Sequence, residues 1–112
     1  NVFSIKPIDE ELIENMANKV KAVVTIENHS VIGGLGGAVA EILAKESKHA
    51  PLEFVGVEDV FTESGSADEV KSKYGLNINN IIMKTENAMK KSLPISVVPK
   101  RNFIQKLKAF FK

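Results

Sequence analysis

Apolar residues along this chain of 112 residues follow two spacings, one typical of strands and one typical of helices. Continuous apolar and β-branched runs predict strands, and they lie at residues 2–5, 22–26 and 52–57. Elsewhere, apolar residues recur every three or four positions, which predicts one amphipathic helix after Asp9 and another after the glycines of residues 33–37. This alternation predicts an α/β fold built of βαβ units around a parallel sheet.

The apolar stripes of the helices predict which face each helix buries. For the first two helices, the predicted buried residues are Leu12, Ile13, Met16, Ala17 and Val20, then Leu35, Ala38, Val39, Ile42 and Leu43. Ser66 and Glu69 have the spacing of a capping box, which predicts a short helix that ends at Gly75. Asn77 is expected to cap a last helix. The shared apolar face of that helix is predicted to be Ile78, Ile81, Ile82 and Met89.

The junction between the second strand and the second helix, residues 27–37, is rich in glycine. Four of five consecutive positions are glycine: Gly33, Gly34, Gly36 and Gly37. This density indicates unusual dihedral angles or the close approach of another group. One interpretation is a tight turn with close packing of the helix. In the other, free N–H groups at the helix N-terminus bind a phosphate or carboxylate, with His29 beside them as a donor.

The remaining residues argue against a dinucleotide site, a metal site and a catalytic serine. The glycines match only part of a dinucleotide-binding fingerprint, since Val39 stands where its last small residue belongs. His29 and His49 lack acids at ligand spacing, so no metal site is expected. Ser30 follows His29 directly, but adjacent residues of a strand point to opposite faces, which argues against a nucleophile and base pair.

Charge is distributed unevenly, although the formal net charge is only +1. Residues 1–86 contain fourteen acids and eight lysines, whereas residues 87–112 contain seven basic residues and no acid. The chain has no cysteine, which excludes disulfides and thiolate chemistry and is compatible with a cytoplasmic location. No apolar run approaches the roughly 20 residues that a membrane-spanning helix needs.

Three further motifs are recognisable together: residues 6–12 (KPIDEEL), 24–36 (VTIENHSVIGGLG) and 57–65 (VEDVFTESG). In sequence, order and spacing they resemble the C-terminal domain of transketolase. The resemblance extends from about Asn1 to Ala88 and is more specific than any single glycine motif. The C-terminal domains of 1-deoxyxylulose-5-phosphate synthase and of the beta component of 2-oxoacid dehydrogenases are similar. The Glu-Asn-His-Ser form and the Glu-Ser-Gly loop favour transketolases of the split-subunit type.

The resemblance implies a three-layer α/β sandwich with a mostly parallel sheet, formed by residues 1–91. It also implies a place in a thiamine-diphosphate-dependent enzyme that transfers a two-carbon ketol unit between sugar phosphates, with a divalent metal such as Mg²⁺ holding the cofactor. In that family other domains bind the cofactor, so this chain is expected to bind none, to hold no catalytic residue and to be inactive alone. Its expected partners are other transketolase domains or subunits, including copies of itself.

By the same resemblance, the glycine junction lies towards the dimer interface and the approach to the active site. The candidate residues there are Glu27, Asn28, His29, Ser30, Gly33, Gly34, Gly36 and Gly37. The family domain normally has a further strand and helix before the position of Val2, so the chain is expected to be a fragment of reduced stability. A regulatory or interaction module with the same fold is the alternative.

Residues 92–112 match no part of the family and are expected to form a basic tail. Residues 94–99 predict an extended segment, which is followed by a helical apolar stripe flanked by cations. The stripe consists of Phe103, Ile104, Leu107, Phe110 and Phe111. Three interpretations remain open: packing on this domain or on a dimer mate, binding to an anionic membrane or to nucleic acid, and a non-native extension.

Overall fold

A computed structural model describes residues 1–92 of the chain. In chain order the elements are α1 (Glu10–Ala17), β1 (Val23–Ser30), α2 (Leu35–Leu43), β2 (Leu52–Val57), α3 (Ala67–Lys73) and α4 (Ile78–Lys91). The predictions for the tail beyond residue 92 lie outside the described residues. None of the helices among residues 1–92 is long and apolar enough to cross a membrane.

Strands β1 and β2 pair in parallel and α2 connects them, as the alternating pattern predicts. Thr25 lies opposite Phe54, and Val24 lies opposite Glu53. Because successive side chains of a strand point to opposite faces, Thr25, Phe54 and Glu27 share one face, which α2 covers. Glu53 lies on the other face, where it pairs with lysines of α4. Helices α1 and α2, the sheet and α4 therefore form three layers, which confirms the predicted fold class.

The core lies where α1 and α2 pack together over the sheet. It consists of the buried residues Ala17, Val39 and Leu43, with Ile8, Ile13, Val23, Leu35 and Leu52 partly buried against them. Burying a side chain the size of valine or leucine stabilises a fold by about 1.5–3 kcal/mol relative to leaving it in water. The face predicted for α2 is confirmed, since Val39, Ile42 and Leu43 are buried.

The caps at the helix N-termini largely agree with those predicted from the sequence. Asp9 accepts a hydrogen bond from the backbone N–H three residues ahead at 3.0 Å, and Asn77 does the same at 2.9 Å. Such caps contribute about 1 kcal/mol each. Ser66 precedes α3 as predicted, but its hydroxyl donates to the Glu69 carboxylate at 2.6 Å and caps no backbone N–H. The predicted capping box is therefore not formed.

The strand predicted at residues 2–5 is wrong. Within the described part of the chain the sheet contains only β1 and β2, and no backbone hydrogen bond joins residues 2–5 to either strand. Phe3 is 94% exposed. An apolar run without a partner strand lacks the hydrogen bonds and cross-strand contacts that stabilise extended backbone in a sheet.

The apolar face predicted for α4 is wrong in three of its four residues, since Ile81 alone is partly buried. Ile78, Ile82 and Met89, which we call the α4 stripe, are 74%, 52% and 46% exposed. The helix instead turns a mixed face towards the sheet, and that face consists of Ile81, Lys84, Thr85 and Ala88. On this side of the sheet the carboxylate of Glu53 on β2 pairs with lysines of α4.

Candidate functional site at the glycine junction

Glu27 is the centre of the glycine junction. It lies in β1 on the face covered by α2, and only 4% of its side chain is exposed. Its Oε2 accepts a hydrogen bond from the Leu35 backbone N–H at 2.7 Å, and its Oε1 accepts one from the Gly36 N–H at 3.0 Å. These N–H groups belong to the first turn of α2 and have no partner within the helix. The chain therefore supplies its own carboxylate to the N-terminus of α2.

This internal carboxylate determines whether the junction can bind an anion. A helix N-terminus favours negative charge because its N–H groups and its dipole point towards it. Each hydrogen bond to a charged group contributes about 1.5–3 kcal/mol. Because Glu27 already makes two of these bonds, a phosphate would have to displace a carboxylate that is covalently attached to the chain. The contacts therefore support the packing interpretation of the glycines.

Three glycines allow close packing at the junction, and two of them, Gly34 and Gly56, lie beside the Glu27 side chain. A Cβ atom on Gly34 would overlap Oε2 of Glu27, and one on Gly36 would overlap the ring of Phe54. A Cβ atom on Gly56 of β2 would lie 3.2 Å from Cγ of Glu27. Sequence analysis missed Gly56, although a glycine inside a strand is a signal of close approach.

Gly33 and Gly37 have more open surroundings. Gly33 has a φ of +75°, a conformation that favours glycine, and a Cβ atom there would meet nothing within 4 Å. A Cβ atom on Gly37, inside α2, would also meet nothing within 4 Å. No contact within the described residues therefore requires glycine at position 37. Both residues border a groove of about 550 Å³ that Pro7 and Lys45 also line.

His29 lies on the same face of β1 as Glu27. Its Nε2 is 3.0 Å from Oε2 of Glu27, and 54% of its side chain is exposed. Asn28, between them in sequence, is exposed and belongs to the opposite face. The hydroxyl of Ser30 accepts a hydrogen bond from the Ile32 backbone N–H at 3.2 Å. Ser30 therefore stabilises the turn after β1.

The eight candidate residues thus separate into two groups. Those buried within this chain are Glu27, Gly34 and Gly36. Those exposed or partly exposed are Asn28, His29, Ser30, Gly33 and Gly37. Sequence analysis included Glu27 but missed its contact with α2, because the carboxylate and the N–H groups it binds are eight and nine residues apart. An acid in an apolar strand directly before a glycine-rich turn is the signal that indicates it.

Outside the junction, ion pairs shift the pKa of two side chains, Glu53 and Lys45. On the α4 side of the sheet, a hydrogen bond from Lys91 lowers the pKa of Glu53, and the charge of Lys84, 3.6 Å away, acts in the same direction. Between α1 and α2, Lys45 donates a hydrogen bond to Glu10 at 2.6 Å, which raises the pKa of Lys45. Residues 1–92 contain no group of three or more acids or histidines placed to hold a metal ion.

Comparisons with known proteins agree on one family. Residues 1–81 match the family described as "Transketolase, C-terminal domain". Over 88 residues the chain is 48% identical to the putative transketolase C-terminal section of Methanocaldococcus jannaschii, covering 79% of this chain and 27% of that protein. Over 82 residues it is 51% identical to the 6-deoxy-6-sulfo-D-fructose transketolase subunit SqwH of a Clostridium species, covering 73% of this chain and 25% of that subunit.

The fold comparison gives the same result. A solved structure named "Split gene transketolase, inactive beta4 tetramer" superimposes with a TM-score of 0.72 at 46% identity, covering 80% of this chain and 29% of that one.

A second group of sequence relatives is more distant. The 1-deoxy-D-xylulose-5-phosphate synthase of Acidobacterium capsulatum is 36% identical over 93 residues, which are 83% of this chain and 15% of that enzyme. The chain spans about a quarter of the length of the transketolase relatives.

Proposed function

This chain belongs to the transketolase C-terminal domain family, and we propose that it is the dimer-supporting C-terminal domain of a split-subunit transketolase. The complete enzyme would transfer a two-carbon ketol unit between sugar phosphates with thiamine diphosphate as cofactor. The observation that carries this proposal is the identity of 46%, 48% and 51% to three proteins named as transketolase parts. Residues 1–91 would form the domain and residues 92–112 a separate tail.

The described residues of this chain do not fit a thiamine diphosphate or metal site. The N-terminus of α2 is the position in the junction that suits a diphosphate, and Glu27 already binds it. No cluster of metal-ligating side chains occurs among residues 1–92. We infer that other parts of the enzyme hold the cofactor and a divalent metal such as Mg²⁺. The chain alone would then be inactive.

The surface of the described residues suits association with further domains or subunits. The α4 stripe is exposed, and so are Leu12 and Met16 of α1, at 57% and 49%. Exposed apolar surface of this kind marks interaction sites when it is contiguous. We propose that the partners are other transketolase domains or subunits, including further copies of this chain, in the cytoplasm. The tetramer in the name of the split-gene relative supports this.

The accessible residues of the glycine junction would take part in these contacts. Gly33 and Gly37 leave open space beside α2, and the ring of His29 is half exposed. A helix surface without side chains allows another backbone or a ligand to approach closely. We therefore propose that this part of the junction lies at a subunit interface or at the approach to the active site.

A second candidate reaction comes from the 1-deoxy-D-xylulose-5-phosphate synthases. Members of that group are 36% and 40% identical to this chain over 93 and 81 residues. The transketolase relatives are 48% and 51% identical over similar lengths. The higher identity favours ketol transfer between sugar phosphates.

The proposal is tested by combining this chain with the section that supplies the rest of the enzyme. With thiamine diphosphate and Mg²⁺, the combined sections should transfer a ketol unit from a ketose phosphate to an aldose phosphate, and either section alone should not. If the combination forms 1-deoxy-D-xylulose 5-phosphate and transfers no ketol unit, the second candidate is correct. Ketol transfer by the 112-residue chain alone would contradict the proposal.

A further inference from the structure

Glu27 has neighbours of two kinds, the amides of α2 and the ring of His29. Its Oε2 accepts from the Leu35 N–H at 2.7 Å and lies 3.0 Å from Nε2 of His29. An ionised carboxylate has lone pairs and no proton to donate. A ring nitrogen that also presented a lone pair at this distance would be repelled. The favourable arrangement therefore has a proton on Nε2.

We propose that Glu27 is a positioning residue for His29, which keeps the imidazole proton on Nε2 and leaves Nδ1 as a hydrogen-bond acceptor. Because the same carboxylate fills the N-terminus of α2, the junction suits a neutral donor such as a sugar hydroxyl, and it does not suit a phosphate. The choice of a sugar rests on the proposed function. The position of the proton and the exclusion of phosphate do not depend on it.

The packing shows that Glu27 orients His29 and not the reverse. The Glu27 side chain is 4% exposed and is fixed by two backbone N–H groups. A Cβ atom added to Gly34 would overlap Oε2, so the carboxylate already lies close against the turn before α2. His29, in contrast, is 54% exposed on its side chain. The buried, doubly bonded carboxylate is therefore the fixed partner.

His49 provides an internal control, because its environment favours the opposite tautomer. Its Nδ1 lies 2.8 Å from the carbonyl oxygen of Ala50. A carbonyl oxygen only accepts hydrogen bonds, so Nδ1 of His49 must carry the proton. In the neutral form of the imidazole, the two histidines of the chain are thus expected to adopt opposite tautomers, and one spectrum of one sample reports both.

The tautomers are measured by ¹⁵N NMR of the imidazole rings in the 112-residue chain. At about pH 8.5 an unperturbed imidazole is neutral, and its protonated and unprotonated nitrogens resonate separately. His29→Gln and His49→Gln assign the signals. We expect the proton of His29 on Nε2 and that of His49 on Nδ1. A proton on Nδ1 of His29 in the unmodified chain would overturn the proposal.

The variant Glu27→Leu tests the cause. A leucine side chain accepts no hydrogen bond, so Nε2–H of His29 loses its acceptor, and the Nδ1–H form should increase several-fold while the tautomer of His49 stays unchanged. A folded Glu27→Leu chain in which His29 keeps the original ratio of tautomers would contradict the positioning role. If this variant does not fold, the fraction of the Nδ1–H form of His29 in the unmodified chain decides, because a ring that Glu27 does not hold would populate both tautomers.

Titration with inorganic phosphate tests the ligand class. In the unmodified chain, the amide signals of Leu35 and Gly36 and the ring signals of His29 should not shift saturably at constant ionic strength. Saturable shifts confined to these groups would show that a phosphate can use the α2 N-terminus, and they would overturn that part of the proposal. Neither result depends on whether the assembled enzyme transfers ketol units.

Discussion

Helices α2 and α4 carry apolar residues at the same spacing of three and four, but within residues 1–92 one stripe is covered and the other is exposed. In α2, Ile42 and Leu43 are 3% and 1% exposed, whereas Ile78 and Ile82 of α4 are 74% and 52% exposed. The difference lies in their neighbours. Helix α2 packs against α1, β1 and β2, while α4 packs against the two strands.

This comparison shows what an apolar stripe can and cannot establish. Periodicity identifies the apolar side of a helix, because it depends on 3.6 residues per turn and on nothing else in the fold. Whether that side is covered depends on what else is present. The α4 stripe therefore lies outside the core formed by residues 1–92, which is compatible with the contact surface proposed above.

The largest expected effect separates the two helices directly. Ile42→Ala removes a side chain packed inside the chain and should lower the free energy of unfolding by about 2–5 kcal/mol. Ile82→Ala, the matched change on α4, should lower it by less than about 1 kcal/mol, since that side chain is half in water already. Urea unfolding of the 112-residue chain followed by circular dichroism measures both. Equal losses would show that α4 is buried in the free chain.

The glycines of α2 offer a second matched pair. Gly34→Ala places a methyl group onto the Glu27 carboxylate, so one or both of its hydrogen bonds to α2 must break, at about 1.5–3 kcal/mol each. Gly37→Ala enters open space and should instead raise the free energy of unfolding of the isolated chain by about 0.5–1 kcal/mol. The same unfolding measurement applies. A loss from Gly37→Ala would mean that this position is already packed within the chain.

Local features of this fold could be predicted from the sequence, and long-range ones could not. The caps Asp9 and Asn77 and the buried face of α2 follow from residues within a few positions of one another. The role of Glu27 depends on N–H groups eight and nine residues away that only the folded turn brings to it. The wrong prediction of a strand at residues 2–5 has a related cause, because a strand forms in a sheet only where a second strand pairs with it.

The α4 stripe is tested next by its effect on assembly. Ile82→Gln should weaken association of the chain with its partner section or with itself at least tenfold, which corresponds to about 1.4 kcal/mol. Met83→Gln is the control, because Met83 is similarly exposed at 49% but lies about 100° around the helix from Ile82. Analytical ultracentrifugation measures the dissociation constants. Equal effects of Ile82→Gln and Met83→Gln on the dissociation constant would show that the α4 stripe is not part of the interface.

The smallest expected effect concerns how α4 is held to the sheet without its apolar stripe. The hydrogen bond from Lys91 and the charges of Lys91 and Lys84 lower the pKa of Glu53 from its usual value of 4.5, against the opposing effect of burial. Because the pKa of Glu53 is lower in the folded chain, its ion pair stabilises the fold fully at a pH above the pKa of the unfolded state. This stabilisation is lost as the pH falls through the pKa of the folded state. Glu53→Gln should therefore cost less than about 1 kcal/mol near pH 7, because Lys91 is largely exposed, and nothing at the acid end. Unfolding curves recorded from pH 7 down to below pH 4 give the difference between the two chains. A difference that grows on acidification would mean that α4 is not held to the sheet by this ion pair.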